Sequence, residues 1–234
     1  VKNLKIFEIG KIFLKSEEQT LPREPEMMIA LWTGSRMEAS WHDRENTCDF
    51  YDIKGAVEVL MRSLKLDAIR FTAMPDKSCE YTRPGRTARI MASESPVGLV
   101  GEIHPLVSES YDLKQTAYIF ELDLELISGL VPEVTTTRPI PRLPAVPRDI
   151  TIIVDRGIET QRVLDAVVML QEELIEHVHL FDVFEGEPIA AGKKSVSFRI
   201  TYRSAAKTLE DDEINDLHKS ITARLLNAFD ATLP

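Results

Sequence analysis

A strictly alternating stretch near the end of the chain, "KKSVSFRITYR" at residues 193–203, restricts the fold more than any other segment. Apolar residues occupy every second position after the two lysines, and hydroxyl or basic residues occupy the positions between. The apolar set is Val196, Phe198, Ile200 and Tyr202, and the polar set is Ser195, Ser197, Arg199, Thr201 and Arg203. Because successive side chains of a strand point to opposite faces, the pattern predicts a strand with one buried face and one exposed face.

The segments around this strand predict a small sheet covered by two helices. The β-branched run at 148–155 predicts a strand, and the apolar stripe of 159–178 predicts a helix. Residues 179–186 predict a second strand, residues 213–229 a second helix, and 231–234 a short last strand. The order is the ferredoxin-like β-α-β-β-α-β plan, in which two helices cover one face of an antiparallel sheet. The other face, which includes Ser195 and Arg199, is therefore expected to be open to a partner.

The first half of the chain predicts an antiparallel sheet with few helices. One helix is expected at 51–66, and a Pro-Gly turn at 81–88 is expected to join two strands. Strands are expected at 4–15, 26–34, 68–74, 88–93, 96–105 and 116–127. The fold class of the whole chain is therefore α+β.

A proline-rich segment separates the two halves. Residues 131–149 read "VPEVTTTRPIPRLPAVPRD" and lack both helical and alternating periodicity. Prolines at this density favour extended chain and remove hydrogen-bond donors, which is typical of a linker. The predicted division is a first domain at 1–131, a linker at 132–147 and a second domain at 148–234. The chain begins without methionine, and we expect it to be part of a longer protein.

Charge and cysteine content exclude several functional classes. The formal net charge of −10 argues against a protein that coats nucleic acid along its whole surface. The two cysteines, Cys48 and Cys79, are far apart and in no CxxC arrangement, so neither a disulfide framework nor a zinc site is expected. A reducing, cytoplasmic location fits best. No apolar run reaches the roughly 18–20 residues that span a bilayer.

A local concentration of positive charge accompanies the alternating strand. Residues 190–207 contain basic side chains and no acidic ones, although 138–234 as a whole holds 12 Lys and Arg against 16 Asp and Glu. The basic set is Lys193, Lys194, Arg199, Arg203 and Lys207. The concentration predicts a patch for a phosphate backbone, which Arg142 and Arg148 could extend. The alternative is a solvated strand face that is protected from edge pairing.

An ordered set of short sequences resembles one known family. "FYDIKGAVEVL", "RPGRTARI", "VGLVGEIHP" and "FELDLELI" precede "RLPAVPRDITIIVD", "FDVFEG" and "GKKSVSFRITYR". In this order they resemble the C-terminal third of the bacterial phenylalanyl-tRNA synthetase β subunit, over essentially the whole chain. The resemblance implies a catalytically inactive class II synthetase-like module at 1–131, followed by a ferredoxin-fold anticodon-binding domain at 148–234.

The resemblance also implies partners and site residues. The holoenzyme of this family is an α2β2 tetramer that uses ATP and magnesium to charge tRNA(Phe) with phenylalanine, so the expected partners are the anticodon stem-loop and the α subunit. An aromatic at the position of Phe184 and a serine at that of Ser195 contact anticodon bases. We expect Ser197, Arg199 and Arg203 to complete this face. Lys193, Lys194 and Arg148 are expected to contact phosphate.

Two features of the sequence refine these expectations. Within "FDVFEG", strict alternation would direct Phe181 and Val183 toward the helices and leave Phe184 exposed. Where the family carries an arginine near the C-terminus that reaches the anticodon, this chain reads "FDATLP" up to Pro234. Either that contact is absent, or an arginine elsewhere replaces it.

The residues themselves argue against catalysis in the first module. A class II adenylation site needs arginines that hold the nucleotide phosphates. The strand "IFEIGKIFL" has no arginine, and "IFELDLELISGL" presents Glu121, Asp123 and Glu125 instead. We therefore expect no cofactor, metal site or catalytic residue in this chain. The expected function is a non-catalytic part of phenylalanine–tRNA ligase that binds tRNA and the α subunit. The alternative is a ferredoxin-like module that binds a small regulatory molecule or another protein.

Overall fold

The computed structural model describes residues 3–15, 21–37, 40–41, 46–66, 68–76, 78–134 and 140–234. The chain divides into two compact units, Val1–Thr136 and Thr137–Pro234. Part of the segment predicted as a linker, residues 135–139, lies outside the described residues. The end of that segment, from Val146, belongs to the first strand of the second unit.

Within the described residues, the first unit is a six-stranded antiparallel sheet with three helices. Its strands are β1 (Leu4–Lys11), β2 (Glu26–Thr33), β3 (Ile69–Ala73), β4 (Thr82–Ala92), β5 (Ser95–Ile103) and β6 (Ala117–Asp123). Its helices are α1 (Phe50–Ser63), α2 (Pro105–Ser110) and α3 (Leu124–Leu130). The strand order is β1-β2-β6-β5-β4-β3, and every neighbouring pair is antiparallel.

Helix α1 supplies one side of the core of this unit. Its start is fixed by a capping box, in which Asp49 accepts from backbone N–H groups of the first turn while Asp52 accepts from the N–H of Asp49. Its buried stripe packs against apolar residues of the central strands. The cluster consists of Ile53, Val57, Met61, Ala88, Ile90, Ala92, Val97, Val100, Phe120, Leu122 and Ile127. One face of the sheet is thereby buried.

Three features of the first unit differ from the sequence expectation. The turn expected at 81–88 does not join two strands but lies inside β4, where the register shifts between Thr82 and Thr87. The strand expected at 116–127 ends at Asp123, because the Asp123 carboxylate accepts from the N–H of Leu126 and begins helix α3. The short helix α2 was not expected. It begins immediately after the predicted strand, where the ring nitrogen of His104 accepts from the N–H of Leu106 and Pro105 occupies the first turn.

The second unit has the predicted ferredoxin-like plan. Its elements are β7 (Val146–Asp155), α4 (Thr160–Val168), β8 (Ile175–Phe184), β9 (Lys193–Tyr202) and α5 (Asp211–Phe229). The sheet order is β7-β9-β8, with both pairs antiparallel. The expected last strand is reduced to one bridge, between Ile153 and Thr232. The α+β class and the ferredoxin-like domain are confirmed.

Helix α4 is shorter than its apolar stripe suggested. It ends at Val168, and Gln171 then adopts a left-handed backbone with φ of 51°. Strand β8 follows from Ile175, so Leu174 and Ile175 reach the core from a turn and a strand instead of from the helix. The sequence could not distinguish these cases, because an apolar residue next to a core satisfies either pattern.

The core of the second unit lies between the sheet and its two helices. Alternate residues of β7 and β9 pack on the inner stripes of α4 and α5. The cluster consists of Ile150, Ile152, Val154, Val163, Val167, Val196, Phe198, Ile200, Tyr202, Leu209, Ile214, Ile221 and Leu225. The buried half of the alternating stretch is therefore where the sequence predicted it. None of the helices in the described part of the chain is long and apolar enough to cross a membrane.

Candidate nucleic-acid interface

The sheet side that faces away from α4 and α5, hereafter the open face, is built from three strands. Strand β9 runs through its middle and contributes Ser195, Ser197 and Arg199. The cross-strand neighbours on this face follow from the register, since paired residues of antiparallel strands point to the same side. They are Asp149, Thr151 and Ile153 on β7, and His177, His179, Asp182 and Phe184 on β8.

The centre of the open face is a floor of small hydroxyl side chains. Ser195 is 8% exposed and Ser197 is 7% exposed, because larger residues of β7 and β8 flank them. The Ser197 hydroxyl lies 2.9 Å from the Thr151 hydroxyl across the strand pair. Each hydroxyl can both donate and accept, so the pair retains capacity for a ligand. Thr151 was missed in the sequence, although the alternation of β7 could have indicated it.

Phe184 stands at the edge of this floor. It is paired in register with Ser195 and is 44% exposed, so it lies on the side where it was expected. An exposed flat ring beside a hydroxyl floor offers a stacking surface and a hydrogen-bonding group to one planar ligand. Asp182, opposite Ser197, adds a carboxylate acceptor that the sequence reasoning did not single out.

A bulge in β8 changes the neighbourhood of Phe184. Leu180 opposes Phe198 and Asp182 opposes Ser197, so Phe181 is an extra residue between two consecutive pairs. The expectation that Phe181 points to the helices is wrong. Its ring is half exposed and lies 5.9 Å from the Arg199 guanidinium, on the open face. Val183, opposite Val196, keeps its predicted side.

Arg199 reaches the open face but is paired there. Its Nε and Nη2 donate to the two carboxylate oxygens of Asp149 at 2.7 and 2.8 Å, in a bidentate arrangement. The hydrogen bond from Arg199 lowers the pKa of Asp149, and the hydrogen bond to Asp149 raises the pKa of Arg199. The pair therefore stays ionised at neutral pH and has no net charge. Asp149 was missed in the sequence because it lies fifty residues before its partner.

The guanidinium of Arg203 is held by hydrogen bonds within the second unit. Its Nε donates to Glu176 at 2.7 Å, and its Nη1 donates to the backbone oxygen of Leu143 in the proline-rich segment. The guanidinium therefore joins the start of β8 to the segment before β7. Arg203 is partly buried, and its charge is balanced by Glu176.

The three residues expected to contact phosphate have different positions. Lys193 pairs in register with Asp155 and lies on the side of the open face. Lys194 has the opposite phase, on the side of the helices, and is 8% exposed. Arg148 also lies on that side, where it donates to Asn215 and Asp211 of α5 at 3.2 and 2.6 Å. Arg148 therefore lies away from the open face, because its register partner Ile200 is a core residue, and its expected contact with phosphate stays a prediction.

The basic patch expected from residues 190–207 is neutralised by partners from elsewhere in the chain. Asp149 balances Arg199, Glu176 balances Arg203, and Glu213 accepts from Lys207 at 2.7 Å. A local window of sequence does not contain these acids, and so it overstated the positive charge. The open face is consequently polar and nearly neutral.

Beneath the open face, hydrogen bonds of His218 connect helix α5 to the sheet. The Nε2–H of His218 donates to the carbonyl oxygen of Asp149 at 3.3 Å, and its Nδ1 accepts from the Tyr202 hydroxyl at 2.9 Å. Burial raises the pKa of Tyr202 to about 12, and burial lowers the pKa of His218. Both groups are thus neutral at pH 7 and hold the Asp149 backbone in place.

In the first unit, strands β1 and β6 do not fit a nucleoside triphosphate, because they lack the arginines that would hold its phosphates. Strand β1 carries no arginine, and β6 presents Glu121 and Asp123. Asp123 is already paired with Arg23 at 3.2 Å. Arginines do occur at the end of the sheet opposite β1, at Arg89 of β4 and Arg70 of β3. Within the described residues, no group of three or more His, Cys, Asp and Glu could hold a metal ion.

Comparison with known proteins gives family models and relatives that match both units. The family model "Phenylalanyl tRNA synthetase beta chain CLM domain" matches residues 1–124, and the model "Ferredoxin-fold anticodon binding domain" matches residues 141–234. The phenylalanine–tRNA ligase beta subunit of Syntrophus aciditrophicus is 40% identical over 225 residues, which are 96% of this chain and 28% of that protein. The beta subunit of Bacillus licheniformis is 38% identical over 229 residues, with 97% and 28% covered. The chain thus spans little more than a quarter of the length of these relatives.

Among solved structures, the pyrrolysyl-tRNA synthetase of Desulfitobacterium hafniense aligns with 53% of this chain and 40% of its own. The TM-score is 0.37 and the sequence identity is 16%.

Proposed function

Because this chain belongs to the phenylalanyl-tRNA synthetase β-chain family, we propose that it is a non-catalytic, tRNA-binding part of phenylalanine–tRNA ligase. The second unit binds the anticodon of tRNA(Phe) on its open face. The observation that carries this proposal is the exposed ring of Phe184 beside the hydroxyl floor of Ser195 and Ser197. This arrangement lies inside the segment that matches the anticodon-binding family model.

The open face suits unpaired bases better than phosphates. Phe184 stacks on one base, and the hydroxyls of Ser195 and Ser197 bond its edge, as protein–RNA recognition of single strands requires. Arg199 offers its guanidinium plane and remaining N–H groups from a position that Asp149 fixes. Since Asp149 cancels its charge, Arg199 contributes through geometry more than through counterion release.

The remaining predicted residues have narrower roles. Arg203 joins the sheet to the proline-rich segment and thereby holds one end of the open face in place. Lys193 supplies a phosphate contact at the other end of β9. Lys194 and Arg148 lie on the helix side and make no contact with the bound anticodon in this arrangement.

The whole ligase provides the chemistry. In this proposal the chain joins an α2β2 tetramer in the cytoplasm, and the first unit docks on the α subunit, which uses ATP and magnesium. The acidic side chains of β6 support the inactivity of the first unit toward ATP. The isolated chain is accordingly expected to show no ATP–pyrophosphate exchange while it binds tRNA(Phe).

Aminoacylation by the reconstituted tetramer tests the role of the open face. Phe184→Ala and Arg199→Glu in the β subunit should each lower kcat/KM for tRNA(Phe) by about tenfold, since one stacked base contributes about 1–3 kcal/mol. Tyr111→Ala and Arg224→Glu are matched controls, because Tyr111 is an exposed aromatic of the first unit and Arg224 is an exposed arginine of α5. Unchanged kcat/KM in both test variants would show that the anticodon is bound elsewhere. Under the alternative function, a module that binds a small regulatory molecule, the chain should show no affinity for tRNA(Phe).

A further inference from the structure

Strand β8 carries a row of four flat rings on the open face. The row consists of His177, His179, Phe181 and Phe184. Phe184 belongs to the predicted site, whereas the other three rings have no role in it. All four side chains are exposed. A continuous line of exposed flat rings is the feature that proteins use to bind single-stranded nucleic acid.

The register and the bulge together produce this row. His177 pairs with Thr201 and His179 pairs with Arg199, so both imidazoles lie on the side of the open face. If the alternation continued unbroken from His179, Phe181 would lie on this side and Phe184 on the other. The bulge at Phe181 shifts the phase by one residue and brings Phe184 to the same side as well.

The rings already have the orientation that stacking requires. The imidazoles of His177 and His179 are stacked, with centroids 6.1 Å apart and planes 25° from parallel. The Phe181 ring lies under the Arg199 guanidinium. A centroid separation of 6.1 Å lies within the ordinary range for a pair of rings, so a base would stack on an outer face of this pair and not between the two imidazoles.

The position of β8 in the sheet gives a strand of RNA room to follow the row. Within the described residues, β8 pairs only with β9, so it forms an edge of the sheet. From His177 to Phe184 the row extends about 23 Å at the usual rise of a strand. That length matches several unpaired nucleotides with one base on each ring.

The charge of this region also favours bases over phosphates or an acidic protein. Asp149 and Glu176 neutralise the two arginines that flank the row, and Asp182 adds a further carboxylate. With little net positive charge, binding must come from ring stacking and hydrogen bonds.

We propose that His177, His179 and Phe181 form a second stacking surface, which binds unpaired nucleotides of the anticodon loop next to the bases held at Phe184. The inference rests on the proposed function, because it extends the same face. The two histidines act as flat rings, so another flat ring can replace them. The occupant is the single-stranded part of the loop on one side of the anticodon.

The test uses the whole chain and an RNA hairpin that copies the anticodon arm of tRNA(Phe). A fluorescent adenine analogue is placed in turn at each loop position, and affinity is measured by anisotropy. The double variant H177A/H179A should bind at least about tenfold more weakly, and it should lose the quenching of the analogue at a position outside the anticodon. The variant H177F/H179F should retain affinity within about twofold, because it keeps the rings.

The outcomes separate this inference from the proposed function. If the hairpin binds, Phe184→Ala weakens it and H177A/H179A does not, the second stacking surface is wrong while the anticodon site stands. If H177F/H179F is as weak as the alanine variant, the histidines act by hydrogen bonding and stacking is excluded. If the unaltered chain does not bind the hairpin, both proposals fail. Because His177 and His179 are exposed, thermal unfolding should be the same in all variants.

Discussion

At the scale of single residues, the partner of a charged group decides what that group can do. Arg199 looks like a phosphate ligand in the sequence, where no acid lies near it. In the folded sheet its two donors face the carboxylate of Asp149, which fixes the guanidinium plane and removes its net charge. Arginine has a fork geometry that suits such bidentate pairing. Arg199 is therefore better placed to contact a base than to attract the phosphate backbone of an RNA.

The substitution Asp149→Asn tests this interpretation. It removes the compensating charge and leaves Arg199 free to contact a phosphate. The slope of log affinity against log salt should then become steeper by up to about 0.7, the value for one additional contact to single-stranded nucleic acid. The measurement is a titration of the anticodon-arm hairpin at several salt concentrations.

Asp216→Asn is the matched control for this prediction. It removes the same charge from an exposed position on α5, where Asp216 lies near Lys219 at 3.7 Å. Its slope should equal that of the unaltered chain. A steeper slope in both variants would attribute the effect to the net charge of the chain. An unchanged slope in Asp149→Asn would show that Asp149 does not neutralise Arg199.

Tyr202 gives a prediction about alkaline pH. Its hydroxyl is buried against His218, and burial raises the pKa of Tyr202 to about 12. An unfolded tyrosine ionises near pH 10, so the stabilisation is complete below about pH 10 and is lost as the pH rises through about 12. The free energy of unfolding should fall by roughly 2–3 kcal/mol more in the unaltered chain than in Tyr202→Phe over this interval.

Urea unfolding followed by circular dichroism at a series of pH values measures this difference. Comparison with Tyr202→Phe cancels the contribution of the other tyrosines, which remain in both proteins. Parallel curves for the two proteins between pH 9 and pH 12 would contradict a buried, neutral hydroxyl at this position.

At the scale of elements, the parts of the fold that depend on periodicity were predictable. The alternation of β9 correctly gave its buried and exposed sides, and the stripes of α1 and α5 gave their inner faces. These patterns are local, since each residue reports its own environment. Among the features that escaped were the bulge at Phe181 and the end of α4 near Gln171. Both arise from the register and backbone of a particular turn, which residue types alone do not specify.

The candidate site was predictable to the same extent. Ser195 was placed correctly because β9 alternates clearly, whereas Phe184 lies on its expected side because the bulge at Phe181 shifts the phase of β8. Asp149, which controls Arg199, escaped because a cross-strand partner is known only once the strands are paired. The same gap explains why the helix-side position of Arg148 was not predicted, since that position is set by its pairing with Ile200.

Strands β5 and β6 provide a prediction about packing. A Cβ at Gly98 of β5 would lie 2.0 Å from the carbonyl oxygen of Glu121 on β6. Since backbone atoms cannot move aside cheaply, Gly98→Ala should destabilise the first unit by about 3 kcal/mol or more. Gly55→Ala in helix α1 is the control, because a Cβ there meets nothing within 4 Å. It should stabilise the unit by up to about 1 kcal/mol.

Tryptophan fluorescence reports this difference selectively. The chain has two tryptophans, Trp32 and Trp41, and both belong to the first unit. Urea unfolding monitored at these residues should shift to lower concentration in Gly98→Ala and to the same or higher concentration in Gly55→Ala. Equal midpoints for Gly98→Ala and the unaltered chain would mean that β5 and β6 separate readily at this position.

At the scale of the whole molecule, the chain contains two units with separate cores. The core clusters of Val1–Thr136 and Thr137–Pro234 share no residue. The proposed roles divide in the same way, since the open face belongs to the second unit and the docking module is the first. Net acidity is compatible with RNA binding under these conditions, because the open face relies on rings and hydroxyls in place of a large positive field.

This division predicts that damage to one unit leaves the other functional. Phe198→Ala removes a fully buried ring from the second core and should cost about 3–5 kcal/mol, so it should abolish binding of the anticodon-arm hairpin. Gly98→Ala, which damages the first core, should leave the hairpin dissociation constant within about twofold, because Gly98 and the open face belong to different units with different core clusters. Anisotropy titrations of the two variants at one temperature make the comparison. A loss of affinity in Gly98→Ala as large as that in Phe198→Ala would show that RNA binding requires both units, and the anticodon site would then have to be sought beyond the open face.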